Sequence, residues 1–367
     1  VSISRFRALS SLLLSGLVAA GLALSSAAQA FANPRIVVDV RSGRVIEHED
    51  AFRKWYPASL TKLMTVYVTF KAIREGRISL DSPVTMSQKA AAQPPSKMYF
   101  KPGAKMTLDS ALKILMVKSA NDVAVAVAEA VGGSLEVFVA RMNAEAARIG
   151  MTSSRFINSH GLPGKGQYTT ARDMAVLALT LKREFPEYSG YFALEGISTG
   201  SQKYPNFNML IGRFDGADGM KTGFICASGF NQVSSATRGG RSVISVVLGA
   251  DSLAGRADQS ADLMQKALSQ PMSRGEPLTS LRPYGNWQAD VADISAEICN
   301  PQAAKVRSEG RDDAGRMIVQ SPYIREMSRP PQFSSAGLIP GSEPAKAPAA
   351  VRGQIANVPI PLPRPMQ

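Results

Sequence analysis

Ser59-Leu60-Thr61-Lys62 sets a hydroxyl and an amine three residues apart, just after Pro57 and at the start of a stretch with helical periodicity. Positions three apart on a helix share a face, so the two groups are neighbours. Serine becomes a nucleophile when a base takes its proton. Lysine is such a base once burial or nearby positive charge disfavours its ammonium. The helix start also favours negative charge developing beside Ser59. Ser119-Ala120-Asn121 offers a hydroxyl and an amide two residues apart, suited to relaying a proton and holding a substrate amide. Lys221-Thr222-Gly223 offers an ammonium and a hydroxyl for a carboxylate, with a glycine that lets substrate backbone lie close to a strand. Each motif alone has a plainer explanation: an exposed helix start, a helix N-cap and an exposed basic strand start. Their order and spacing change that. Ser119 follows Ser59 by 60 residues and Lys221 lies about 100 further on, each in the expected local context.

The elements that must position these residues are legible in outline. Arg35 to Val40 and Arg44 to His48 read as a β-hairpin around Arg41-Ser42-Gly43. Ala58 to Ile73 is helical, and further helices are expected at Leu108–Val117, Asp122–Val131, Leu135–Ile149 and Ala171–Leu181. Asn158 to Thr170 reads as a surface loop. Gly229–Ala236 and Ser242–Ala250 flank Gly239-Gly240 as a second hairpin, followed by a helix over about Ala254–Leu268. Strands at both ends with helices between predict an α/β fold. Its antiparallel sheet is built from both ends of the domain, flanked by helices, with a helical lobe inserted.

Bulk properties bound the function. The 367 residues are 45% hydrophobic and 19% charged, as in a globular protein. With 42 Lys plus Arg against 29 Asp plus Glu the formal charge is +13, which favours anionic partners or simply a soluble basic surface. Arg5 and Arg7, the apolar run Leu12–Leu24 and the small residues Ala28 and Ala30 form a signal-peptide pattern at residues 1–30, so cleavage is expected after Ala30. Export to the periplasm or another extracytoplasmic compartment argues against nucleic acid as the partner. Two cysteines, Cys226 and Cys299, make no disulfide framework, and their separation leaves open whether they pair. His48 and His160 lack a metal-ligand pattern, so no metal site is expected. A catalytic domain over 31–270 is expected to precede a tail, 271–367, that holds 14 of the 23 prolines and reads as mostly disordered.

The three motifs together are those of penicillin-binding proteins and β-lactamases. From about Arg35 to Leu268 the chain resembles the low-molecular-mass penicillin-binding proteins, D-alanyl-D-alanine carboxypeptidases of the serine peptidase type. The resemblance rests on Ala58–Thr65, Lys101-Pro102-Gly103, Ser119–Asp122, Asn158–Leu162, Tyr168–Met174, Asp218–Gly223 and Gly255-Arg256. It implies a β-lactamase/transpeptidase-like fold, peptidoglycan stem peptides as substrate, β-lactams as inhibitors and no cofactor. Residue by residue, it implies Ser59 as nucleophile, Lys62 as base and Ser119 as proton relay. Asn121 would hold the substrate amide and orient Lys62, and Lys221 would keep Lys62 neutral. Thr222 and Arg256 would bind the terminal carboxylate beside Gly223. The backbone N–H groups of Ser59 and Phe224 would form the oxyanion hole. For His160 and Asp173 structural roles are expected.

Two departures stand out. Phe224 and Cys226 occupy a stretch that is often more polar in relatives. The Pro-rich end, Ile360–Gln367, does not fit the amphipathic helix that tethers many relatives, so no C-terminal membrane anchor is expected. The alternatives are a DD-endopeptidase or a β-lactamase on the same scaffold, or a non-catalytic wall-binding protein. A class A β-lactamase would need an acid in the loop before Lys221, and Asn158 to Thr170 contains none.

Overall fold

The first strand already sorts the core into two layers. In the computed structural model, which describes residues 33–271, 274–285, 289–303, 305, 312 and 317–343, the chain from Pro34 onward forms one unit. It opens with β1 (Arg35–Asp39), β2 (Val45–Glu49) and a one-turn 3-10 helix, Ala58–Leu60, running into α1 (Thr61–Arg74). A helical lobe follows: β3 (Pro83–Thr85), α2 (Gln88–Ala91), β4 (Lys105–Thr107), α3 (Leu108–Val117), α4 (Asn121–Gly132), α5 (Leu135–Arg148) and α6 (Ala171–Glu184). Then come β5 (Gly196–Ser198), β6 (Lys203–Pro205), β7 (Ala217–Ile225), β8 (Gly229–Arg238), β9 (Arg241–Ala250) and α7 (Leu253–Ser269). Past α7 lie α8 (Ser295–Ile298) and β10 (Phe333–Ser335).

The main sheet has the order β2-β1-β9-β8-β7 and is antiparallel throughout, so strands from both ends of the domain pair at its centre as expected. Side chains alternate between its faces. Ile36, Val38, Ile244, Val246 and Leu248 join the core shared with α6 and the helical lobe. Val37 and Val243 point the other way, onto Ala257, Ala261 and Met264 of α7. The alanines of α7 let it approach the sheet closely. Helix α1 is buried along almost its whole circumference, as a helix at the centre of a lobe must be. The β8–β9 turn uses Gly239 and Gly240 at φ +55° and +73°, the left-handed pair that a two-residue hairpin needs.

The expectation of a mostly disordered tail after Pro271 is corrected where the structure describes it. Leu278 and Leu281 enter the main core. Leu278 N donates to Gly43 O at 2.9 Å, and Ala292 N to Lys54 O at 3.1 Å. Cys299 forms a disulfide with Cys226, closing the question the sequence left open. Ile324 inserts beside α7, and β10 pairs in parallel with β5, making a small sheet β10-β5-β6. The composition reading failed because it asks whether a segment can build its own core. This segment adds a few apolar side chains and backbone hydrogen bonds to a core that already exists. The expected signal segment, residues 1–30, and the tail's end from residue 344 lie outside the described residues.

Candidate active site

Ser59 occupies the single 3-10 turn before α1, directly after Ala58, whose φ of +48° is left-handed and costly for a residue with a Cβ. Lys62, one turn on and fully buried, brings Nζ to 3.0 Å from Ser59 Oγ. The same Nζ donates to Asn121 Oδ1 and to the His160 carbonyl, each at 2.8 Å. Burial pushes the Lys62 ammonium well below the usual lysine range, and the positive charge of Lys221 adds to this. Asp122 pulls the other way without winning.

Ser119 and Asn121 face the same place from the junction of α3 and α4. They are not caps. Ala120 holds the N-cap position of α4 with no side-chain bond, while Asn121 reaches Lys62 and donates from Nδ2 to Pro94 O at 3.0 Å. Ser119 adopts φ +61°, and its buried Oγ has no hydrogen-bond partner among the described residues.

Strand β7 forms the opposite wall. As the edge strand of the main sheet it leaves one backbone edge unpaired beside the 3-10 turn. A Cβ on Gly223 would lie 3.0 Å from Ser59 N, so only glycine lets strand and turn approach this closely. Lys221 is buried, with Nζ donating to Thr222 O at 3.1 Å; burial first, and then the charge of Arg256, lower its pKa to about 7. Arg256, at the start of α7, donates to Gly223 O and Phe207 O, both at 3.3 Å, and burial lowers its pKa to about 9. It stays cationic at neutral pH. Phe224 is 41% exposed, and its ring packs against that of Phe230, with centroids 4.2 Å apart and the planes tilted by 31°. Ser59, Ser119, Asn121, Thr222, Phe224 and Arg256 line one cavity of about 590 Å³. All nine residues singled out in the three motifs and at Phe224 and Arg256 thus meet around one crevice.

With that geometry in hand, the family model described as D-alanyl-D-alanine carboxypeptidase matches residues 23–252. The chain belongs to the D-alanyl-D-alanine carboxypeptidase family of serine peptidases. It is 36% identical over 273 residues to D-alanyl-D-alanine carboxypeptidase DacC of Escherichia coli strain K12, covering 71% of this chain and 67% of that one. The crystal structure of the carboxypeptidase DacD from Francisella tularensis matches with a TM-score of 0.62 and 34% identity, over 68% of this chain and 75% of that one. Penicillin-binding protein D2 from Listeria monocytogenes, in its cefotaxime-bound form, matches with a TM-score of 0.60 and 28% identity, over 65% and 97%. The chain spans between 59% and 67% of the length of the Escherichia coli and Bacillus subtilis relatives it matches.

Three contributors to this carboxypeptidase-family site were not assigned from the sequence. The His160 carbonyl is one of the three groups around Lys62 Nζ, and a backbone acceptor has no residue signature. The imidazole is structural: Leu162 N donates to its Nδ1, and burial, followed by the charge of Lys62, lowers its pKa to about 3. Gly161, at φ +94°, passes so close to the turn that a Cβ there would fall 1.8 Å from Ala58 O. Asp122 receives the backbone N–H groups of Met98 and Tyr99 at 2.9 and 3.1 Å, which anchors the rim loop that carries Lys97 and Tyr99. Asp173, as expected, is structural, paired with Arg172 and accepting from Ser153 N and Ser154 Oγ.

Proposed function

We propose that the protein is a serine-type D-Ala-D-Ala carboxypeptidase, releasing the terminal D-alanine of peptidoglycan stem peptides through an acyl-enzyme on Ser59. One observation carries the reading: the arrangement of three groups around Lys62 Nζ. A neutral amine has two N–H donors and one lone pair. Asn121 Oδ1 and the His160 carbonyl take both donors at 2.8 Å, which aims the lone pair at Ser59 Oγ, 3.0 Å away. Burial and Lys221 favour that neutral form.

Ser59 Oγ attacks the carbonyl carbon of the penultimate D-alanine while its proton passes to Lys62 Nζ. The backbone N–H groups of Ser59 and Phe224 receive the developing oxyanion. As the C–N bond breaks, the departing amine gains the proton through Ser119 Oγ, a buried hydroxyl with no competing partner. Asn121 holds the substrate amide, while Thr222 and the guanidinium fork of Arg256 hold the terminal carboxylate. Water then attacks the ester carbonyl, giving a proton to Lys62, which passes it to Ser59 Oγ as the ester C–O bond breaks. A β-lactam follows the first step, and the wall Asn158–Thr170 has no acid to hasten the second, so the penicilloyl ester persists. The site of action lies outside the cytoplasm, reached through the segment read at residues 1–30. The Cys226–Cys299 bridge supports an oxidising compartment.

The test is mass spectrometry of wild-type and Ser59→Ala protein with diacetyl-Lys-D-Ala-D-Ala and with benzylpenicillin. Wild type should release D-alanine and retain a penicilloyl adduct, and Ser59→Ala should do neither. An adduct on Ser59→Ala, or no D-alanine from any stem peptide, rejects the reading.

A further inference from the structure

Arg256 is buried where no acid supports its charge. It is 3% exposed at the start of α7, and among the described residues no carboxylate pairs with it. A guanidinium has five N–H donors. Nη1 spends one on Gly223 O and Nη2 one on Phe207 O. Three remain, one of them on each terminal nitrogen, enough for a two-pronged grip on a carboxylate. At 3.3 Å both bonds are longer than a usual N–H···O bond, so they fix the guanidinium plane only loosely. The remaining restraint is a ring. Phe230, at the start of β8, has its centroid 5.7 Å from the guanidinium carbon, close enough for attraction between cation and ring face. A carboxylate in that place would supply more charge, but it would take N–H donors that the substrate needs and cancel the charge that attracts it. The ring itself is held. Phe230 is 6% exposed and packs with Val247 and Ala250 of β9 and with Ile298 of α8 in the tail. Phe224 stands directly opposite it in the β7–β8 ladder, ring against ring.

We propose that Phe230 is a positioning residue for the reaction. Its ring fixes the Arg256 guanidinium in the orientation that receives the substrate's terminal carboxylate, and Phe224 and Ile298 hold the ring. The inference rests on the carboxypeptidase reading and on the carboxylate grip assigned there to Arg256. It gives the tail a part in substrate recognition, because Ile298 packs behind the ring without lining the crevice. The carboxylate is present in both the bound substrate and the transition state, so the contribution is to binding and appears in KM.

Two peptides that differ only in the last group read this out: diacetyl-Lys-D-Ala-D-Ala and the same peptide ending in D-alaninamide. Wild type should cleave the acid with a kcat/KM about tenfold or more above that of the amide, because only the acid gives Arg256 a charged acceptor. Phe230→Leu should lower that ratio about fivefold. The fall should come from a higher KM for the acid, with kcat and the amide's kcat/KM close to wild type. Phe230→Tyr keeps the ring face and should keep the ratio. In an Arg256→Met background Phe230→Leu should change the ratio no further, whereas a general packing defect would act there too. Phe224→Leu, at a position exposed enough for the fold to tolerate it, should lower the ratio by a smaller factor, about twofold. It decides the matter if Phe230→Leu does not fold. A ratio unchanged in the deciding variant, an equal fall on both peptides, or the same fall without Arg256 overturns the assignment and leaves the carboxypeptidase reading standing. Equal wild-type rates on acid and amide overturn it together with the grip assigned to Arg256. No D-alanine released by wild type sinks the carboxypeptidase reading itself.

Discussion

Around Ser59 the chain buries cations without acids to neutralise them, whereas the segment after α7 docks its backbone, a serine hydroxyl and Arg329 onto carboxylates of the domain. Lys62, Lys221 and Arg256 are all buried, and among the described residues none forms a salt bridge. The hydroxyls of Thr61 and Ser119 lack partners there too. Among the described residues, three of the four non-glycine residues with positive φ, Ala58, Tyr99 and Ser119, sit at or beside the crevice, each at a cost of about 1–3 kcal/mol. Past α7 the pattern reverses. Gln320 N and Ser321 N both bond the Asp258 carboxylate at 3.0 Å, and Ser321 Oγ bonds Asp262 at 2.6 Å. Glu195 gathers the Arg329 fork and Gln332 N. The crevice holds destabilising chemistry in place; the later segment supplies part of the stability that holds it.

The most damaging change should be Gly161→Ala. Its Cβ would overlap Ala58 O, a backbone atom beside Ser59, the proposed nucleophile, and its left-handed φ penalises any side chain. Overpacking of this kind costs about 1–3 kcal/mol, and an ångström of misplacement at a reacting group costs on the order of a hundredfold in rate. Stopped-flow acylation by benzylpenicillin should therefore slow by about that factor. Retention of wild-type acylation would mean the turn is not held from this side. Removing the bridge with Cys226→Ser and Cys299→Ser should act on stability instead. It closes a sequence separation of 73 residues, so its loss should cost about 2–4 kcal/mol in urea denaturation. Acylation of the folded variant should stay within a fewfold of wild type. If the bridge variant loses acylation as Gly161→Ala does, the two regions are not separable and the comparison fails.

How much of this could be read beforehand depended on where the information lay. Helix α3 was placed residue for residue because Leu108–Val117 carries an unbroken apolar period. The β8–β9 hairpin was placed because Gly239-Gly240 marks its turn chemically. The three motifs around the crevice were legible because the chemistry proposed for them lives in side-chain types at fixed spacing. What escaped was written in three dimensions. Strands β3 to β6 and β10 are three residues each where they lie outside the main sheet, too short to show a period, and β10 needs β5 already in place. The pairing of Cys226 with Cys299 is a consequence of the tail's path past the end of β7, which no local pattern announces. Gly161 looked like one more loop glycine until Ala58 O lay against it.

The smallest expected effect is the one that tests the comparison's logic most directly. Lys221 is buried, and its pKa is lowered to about 7 by burial and by Arg256, against the ordinary lysine value of 10.5 in the unfolded chain. Between those values the unfolded chain holds a proton that the folded one has released, so folding stability should rise with pH from about 7 toward 10. Below pH 7 the full penalty of burying the ammonium is present. Lys221→Met keeps the side chain's length and removes the charge, so at pH 6 it should be more stable than wild type by on the order of 1–4 kcal/mol. That advantage should shrink as pH climbs. The same substitution removes the positive charge that helps hold Lys62 neutral, so residual penicillin acylation should be slower and its acid limb should move to higher pH. Denaturation midpoints at pH 6 and 9.5, with acylation rates across the same range, read both effects. A variant less stable than wild type at pH 6 would mean that Lys221 contributes to folding, and that the crevice is not the costly region it is argued to be.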